Sequence, residues 1–222
     1  MKNTLIAGRI GAALSAFFLI LFISFLMFIL PSQGLDANQG GLYNPQAALA
    51  FASSSWLLQG FYAQYLVGII GFSLLIYSIA SVVESRQSNL MRIGNIVGIV
   101  GIVFFLINMV IGYLNTPLLL NLLPQYTQEV YATYLTITLL AGALVYGGFF
   151  CLGIWALFLN SSSLTLKLFP RTLSIIGIIS GVCGVLSLFI TPMSFLYILF
   201  STIWLIYLAV IYPKLKQFPS AA

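Results

Sequence analysis

Six apolar runs organise this chain, at residues 10–30, 61–83, 93–113, 136–158, 173–190 and 195–212. A helix needs about 20 mostly apolar residues to cross the hydrocarbon core of a bilayer. The first four runs meet that length, and the last two nearly do. Residues 191–194 alone separate the last two, which makes them a tight helical hairpin. Composition points the same way. Of the 222 residues, 61% are hydrophobic and 5% are charged, whereas soluble domains carry about 25% charged residues. A soluble protein of this size could not cover its surface with so little charge, so lipid has to be the solvent for its exterior. The expectation is an all-α integral membrane bundle, one domain of six transmembrane helices.

The eight prolines support these boundaries, since Pro31, Pro45, Pro117, Pro124, Pro170, Pro192, Pro213 and Pro219 all lie outside the six runs. Proline removes a helix hydrogen bond and favours segment ends. The first run is too long for the apolar core of a secretory signal and ends in Ile29-Leu30-Pro31, so it reads as a retained anchor. Lysine and arginine favour cytoplasmic loops. Lys2 and Arg9 precede the first run, and Arg86 and Arg92 lie between the second and third. Lys167 and Arg171 fall between the fourth and fifth, and Lys214 and Lys216 follow the sixth. Six spans put every basic residue on one side and leave Asp36 and Glu129 on the other. Both termini are therefore expected in the cytoplasm.

The outer loops are apolar enough to carry helices of their own. Asn44 and Pro45 suit a helix start, and a helix begun there would run on into the second span, with Gly60 as a bend. Residues 118–123, between Pro117 and Pro124, form the matching interfacial stretch. Tyr43, Tyr62, Tyr65, Tyr113, Tyr126, Tyr131 and Tyr134 gather at this boundary as an aromatic belt. Asn160-Ser161-Ser162 matches a glycosylation acceptor, but the topology places it in a cytoplasmic loop.

Several stretches form a pattern: Ala7-Gly8-Arg9-Ile10-Gly11, Met91-Arg92 before the third run, and Gly147-Gly148-Phe149-Phe150-Cys151-Leu152-Gly153. Ser161-Ser162-Ser163, Phe169-Pro170-Arg171-Thr172-Leu173 and the Gly177-rich fifth run complete it. Together they resemble the domain of unknown function 4386 family of bacterial membrane proteins. The resemblance implies a six-span helical architecture in a bacterial inner (plasma) membrane. It carries no activity and no site residue.

Small residues recur at helical spacing: Ser174, Gly177, Gly181 and Gly184; Gly94, Gly98 and Gly101; Gln64, Gly68, Gly71 and Ser78. Such faces let backbones approach closely, either within one bundle or across a homodimer. Polar residues inside the runs, chiefly Gln64, Asn108 and Tyr146, are the candidate cavity-lining residues. Polar groups at membrane depth usually face the bundle interior, as part of a cavity or as interhelical hydrogen bonds. Gln64 and Asn108 lie at similar depth, so the expectation is that they touch each other or share a pocket. Trp204 reads as packing bulk, and Glu84, Arg86 and Arg92 as a solvated loop that sets topology.

What is missing narrows the function. Histidine is absent, and the only acidic residues are Asp36, Glu84 and Glu129, all outside the runs. Proton- and ion-coupled transporters place ionisable groups at membrane depth, and hydrolases need an activated nucleophile, a carboxylate pair or a metal. Cys151 and Cys183 read as small buried hydrophobes. No catalytic residue, cofactor or metal ligand is assigned. The net charge of +5 is scattered along run edges, unlike a nucleic-acid footprint. The expected function is non-enzymatic binding of lipid, a hydrophobic small molecule or a membrane partner. The alternative is a passive carrier or channel for a small neutral solute.

Overall fold

The computed structural model describes residues 2–32, 54–82, 89–122, 128–190 and 192–212. Six helical rods account for almost all of them, and no strand occurs among the described residues. Helix α1 covers Lys2–Ser24 and continues through a wider π-helical stretch, Phe25–Ile29, into the short turn Leu30–Ser32. Then follow α2 (Ser55–Val82), α3 (Asn89–Leu122), α4 (Gln128–Leu166), α5 (Arg171–Leu186) and α6 (Pro192–Ile211). The π-helical stretch has a local cause. Pro31 has no N–H to give to the preceding turn, and its ring crowds the carbonyl four residues back. Widening the turn before it relieves that clash without ending the rod.

The rods form a ring in chain order. Each packs against the next, and α6 closes onto α1. Directions alternate. The start of α1 meets the end of α2 where the Ser78 hydroxyl bonds the Thr4 carbonyl. Gly8 sits against the ring of Tyr212, just after α6. Gly101 of α3 faces Gly148 and Cys151 of α4, and Gly153 of α4 faces Gly181 and Val185 of α5. Ser180 of α5 bonds Ser201 of α6 at 2.6 Å. Lys2 and Tyr212 therefore lie at one end of the bundle. Arg9, Arg92, Lys167 and Arg171 fall at that same end, all exposed, while Glu129 opens α4 at the other.

The outward surface is apolar. On α3, Ile96 is 63% exposed and Ile99, Val103, Leu106 and Val110 continue its stripe. The opposite face, with Met91, Gly94, Gly98, Gly101, Phe105 and Asn108, is buried. An apolar exterior on this scale suits lipid and is rare on soluble monomers. Five helices are long and apolar enough to cross a membrane. Helix α5 has 16 residues, about 24 Å at 1.5 Å per residue, against a hydrocarbon core about 30 Å thick.

The ring has a filled axis. Phe18 packs against Phe72 and Phe105 with centroids 6.5 and 6.1 Å away. Phe105 packs against Phe149 at 5.5 Å, and Phe149 against Tyr197 at 5.2 Å. Trp155 and Trp204 meet edge to face at 5.8 Å nearer the basic end. These rings come from five of the six helices, and edge-on and tilted pairs are the favoured arrangements of aromatic quadrupoles.

The glycines do the complementary work at the seams. A methyl group at Gly71 would meet Ser15 N at 2.7 Å, and one at Gly98 would meet the Trp155 ring at 3.0 Å. All three small-residue faces read from the sequence pack against neighbours within this chain: α2 on α1, α3 on α4, and α5 on α4 and α6.

Several sequence expectations need correction. Ser54 is not helical and α2 begins at Ser55, so no continuous helix runs from Pro45 into the second span. A serine run favours a helix start, because its hydroxyls cap free N–H groups. The helix expected at residues 45–53 falls outside the described residues, as do Asp36, Glu84 and Arg86. Gly60 leaves α2 unbroken. Residues 118–122 are not a separate interfacial stretch but the last turns of α3, which passes through Pro117. A proline near a helix end forfeits one hydrogen bond and need not stop the helix. The serines at 161–163 belong to α4, which reaches Leu166. Tyr65 and Tyr134 are buried, not part of a belt.

Candidate functional site

Apart from Ser15 and the Ser180–Ser201 pair near the middle of the bundle, most of the buried polar groups fall into two layers, one toward each end of the aromatic axis. The layer toward the basic end is larger and was missed in the sequence. Asn160, fully buried on α4, donates from Nδ2 to the Ala156 carbonyl at 2.7 Å. Its Oδ1 accepts the Trp204 indole N–H at 3.1 Å. Gly177 of α5 lies hard against the Asn160 amide, so a side chain there would displace it. Asn95 of α3 accepts the Trp155 indole N–H, also at 3.1 Å. Trp204 is therefore packing bulk with a specific partner.

Below these tryptophans, Ser163 Oγ accepts from the Phe169 N–H at 2.9 Å and from Ser174 Oγ at 3.1 Å. This fixes the turn into α5. Across the ring, the Tyr212 hydroxyl donates to Ser78 Oγ at 2.9 Å, and Ser78 donates to the Thr4 carbonyl. Three helices are tied together by that relay. The signal for this layer lay in the sequence as Asn160, Ser162 and Ser163 directly after an apolar run. The run ended by hydropathy before the helix ended by hydrogen bonding.

The far layer holds the sequence candidates. Gln64 and Asn108 are 4% and 6% exposed. They do not pair. Asn108 of α3 is hydrogen-bonded to the Tyr65 hydroxyl, and Gln64 Nε2 has no partner. Helix geometry separates them. Successive residues point about 100° apart at 3.6 residues per turn. Gln64 shares its face with Gly68 and Gly71, which press on Phe18 and Ser15 of α1. Tyr65 points toward the axis, where its ring meets Phe105 at 6.1 Å. Tyr146, the third candidate, is half-buried on α4, next to Gly147, which packs on Phe104 of α3. Around this layer Tyr62 and Tyr113 meet edge to face at 5.7 Å, and Phe25 and Phe61 meet at a tilt with centroids 5.2 Å apart.

Chemically this layer can hold and orient a neutral group. It offers amides, phenols and ring faces. Among the described residues, no three His, Cys, Asp or Glu side chains come together, and both cysteines are free and buried. The fold and site define an all-helical bundle with a membrane-type exterior and a neutral polar interior. No protein-family model, no curated protein and no solved structure matches the chain.

Proposed function

We propose that this chain crosses a bacterial inner (plasma) membrane six times, with both termini cytoplasmic. It would share that six-span architecture with the domain of unknown function 4386 proteins it resembles, and act there without catalysis, as a binding protein for lipid, a hydrophobic small molecule or a membrane partner. The observation that carries this reading is the combination, in one ring, of a ring-filled axis with a buried amide donor that has no partner. Stacked rings leave the centre to side chains, which favours a packed receptor over an aqueous pathway. The unpaired donor favours a ligand or partner. Orientation rests on the five described basic residues at one end of the bundle, since such residues stay cytoplasmic. Six crossings are favoured by α5 lying antiparallel between α4 and α6 despite its length.

Native mass spectrometry from mild detergent tests the binding reading. A lipid, small molecule or membrane protein should stay bound at defined stoichiometry. Protein stripped to the bare chain under conditions that keep it folded refutes the reading. The carrier alternative draws on the two buried amides of the far layer. It requires saturable uptake of a neutral solute into proteoliposomes, and equal uptake by empty vesicles removes it.

A further inference from the structure

The hairpin of α5 and α6 is shorter than the rods around it. Phe149 of α4 touches Phe105 of α3 and Tyr197 of α6. Phe105 in turn touches Phe18 of α1 and Tyr65 of α2, so these five rings mark one level of the bundle. Above it, toward the end that holds Glu129, α6 runs only from Tyr197 to its first residue, Pro192, about 8 Å at 1.5 Å per residue. The other rods go farther beyond the same level. From Tyr65 to Ser55, α2 rises about 15 Å, and from Phe18 to Ser32, the first rod rises about 21 Å. From Phe105 to Leu122, α3 rises about 26 Å, and from Phe149 to Gln128, α4 rises about 32 Å. The basic end gives the same answer. Helix α5 opens there at Arg171, and its 16 residues rise about 24 Å, so the turn begins about 6 Å inside the far edge of a hydrocarbon core about 30 Å thick.

The turn is built for that place. In lipid, backbone polar groups need partners within the protein. The Ser187 N–H donates to the Cys183 carbonyl at 2.9 Å, and the Phe189 and Ile190 N–H groups donate to the Leu186 carbonyl at 3.0 and 2.9 Å. The Met193 N–H donates to the Ile190 carbonyl at 2.9 Å, and Pro192 has no N–H to satisfy. The Ser187 hydroxyl donates to the Gly184 carbonyl at 2.7 Å. Outward, the turn is apolar. Leu188, Phe189 and Ile190 are consecutive and exposed, Phe189 to 74%, and no charged residue occurs between Arg171 and Lys214. Three such side chains in water would be unfavourable, and acyl chains cover them without cost. The neighbouring wall agrees. Gly153 of α4 packs on Gly181 and Val185 near the end of α5. Tyr146 and Leu139 continue that face of α4 in steps of about two turns. They lie past the end of α5, Tyr146 half-buried and Leu139 exposed.

We propose that the α5–α6 turn ends beneath the headgroups of the leaflet opposite the basic end, and that acyl chains of that leaflet pack on Leu188, Phe189 and Ile190. Both helices still pass the bilayer midplane, so both termini keep the basic side. The inference rests on the membrane reading above and refines its last two crossings.

Spin labels test it. Nitroxides are attached at Phe189→Cys and, in a second protein, at Glu129→Cys, each in the full chain with Cys151 and Cys183 replaced by alanine. The proteins are placed in phosphatidylcholine–phosphatidylglycerol vesicles. Power saturation then reads collisions with oxygen, which concentrates in lipid, and with a nickel chelate, which stays in water. The oxygen-to-nickel ratio at Phe189 should exceed that at Glu129 several-fold. Equal ratios, with nickel reaching both labels, overturn the submerged turn and leave six full crossings standing. Exclusion of nickel from Glu129 as well overturns the placement of the outer face, on which both readings depend. A label at Phe189 that neither reagent reaches lies against protein and overturns the lipid contact. Phe189→Asp supplies a readout without a label. A carboxylate held in lipid is costly, so its unfolding midpoint in lipid nanodiscs should fall below that of the wild type. An unchanged midpoint overturns the proposal.

Discussion

Gly153 is a position where one added carbon should be costly. It lies on α4 where that helix crosses α5. A methyl group there would sit 2.8 Å from Val185 N, 2.9 Å from the Gly181 carbonyl oxygen and 2.9 Å from the Gly184 carbonyl carbon. Ordinary contact is about 3.5–4.0 Å, so the overlap is roughly 1 Å. All three atoms are backbone, and none can rotate aside. In Gly153→Ala the two helices must part. The Ser174–Ser163 bond between them, now 3.1 Å, and the Gly177–Asn160 packing are strained with them. Overpacking of this kind costs about 1–3 kcal/mol, offset by up to about 1 kcal/mol from replacing a helical glycine with alanine. The net loss expected is about 1–2 kcal/mol, or roughly 2–8 °C in unfolding midpoint for a chain of this size. Gly60→Ala supplies the control, since nothing lies within 4 Å of the added carbon; it should be neutral or mildly stabilising. Thermal unfolding in mild detergent, followed by circular dichroism, compares the three proteins. If Gly153→Ala is as stable as Gly60→Ala, the α4–α5 seam is not as close as described and the packing argument fails.

Three further outcomes follow from the polar layers and the ring. Asn160→Leu strands the Trp204 indole N–H in the core and should destabilise by about 1–3 kcal/mol, with a shifted tryptophan emission that Asn160→Gln partly restores; unchanged stability and emission would remove Asn160 from the core. The Ser78→Ala and Tyr212→Phe pair should show a coupling of about 0.5–1 kcal/mol in a double-mutant cycle, and strict additivity would deny the bond. Single cysteines at Asn38 and Ser88, in a cysteine-free background, should differ toward an impermeant maleimide on intact cells, with Asn38 labelled and Ser88 not; the reverse pattern inverts the orientation.

The helical rods were legible because hydropathy and proline placement report on lipid exposure, and lipid permits few alternatives. Rod ends were less legible. Asn160 and Ser163 look like a polar loop, yet they are buried because partners on α5 and α6 satisfy them, and those partners lie 11 to 44 residues away in sequence. Pro117 read as a stop for the same reason, since local preference does not report what tertiary packing tolerates. The burial of Gln64 and Asn108 follows from amide chemistry in apolar surroundings. Their separation does not, because it depends on whether each faces α1 or the axis, and one residue of helical phase decides that. The glycine faces were visible as spacing, but whether they served one chain or two required knowing which helix lay opposite.

The ring order has a consequence for how the protein is made. Every seam but one joins consecutive helices, so each helix can dock on the one before it as it leaves the ribosome. The exception is the seam of α6 on α1, which joins the last helix to the first. Until it forms, Ser78 lacks its Tyr212 donor, and Gly8 lacks the Tyr212 ring that packs on it. The tie of Tyr212 to Ser78 and Thr4 therefore forms after the five seams between consecutive helices.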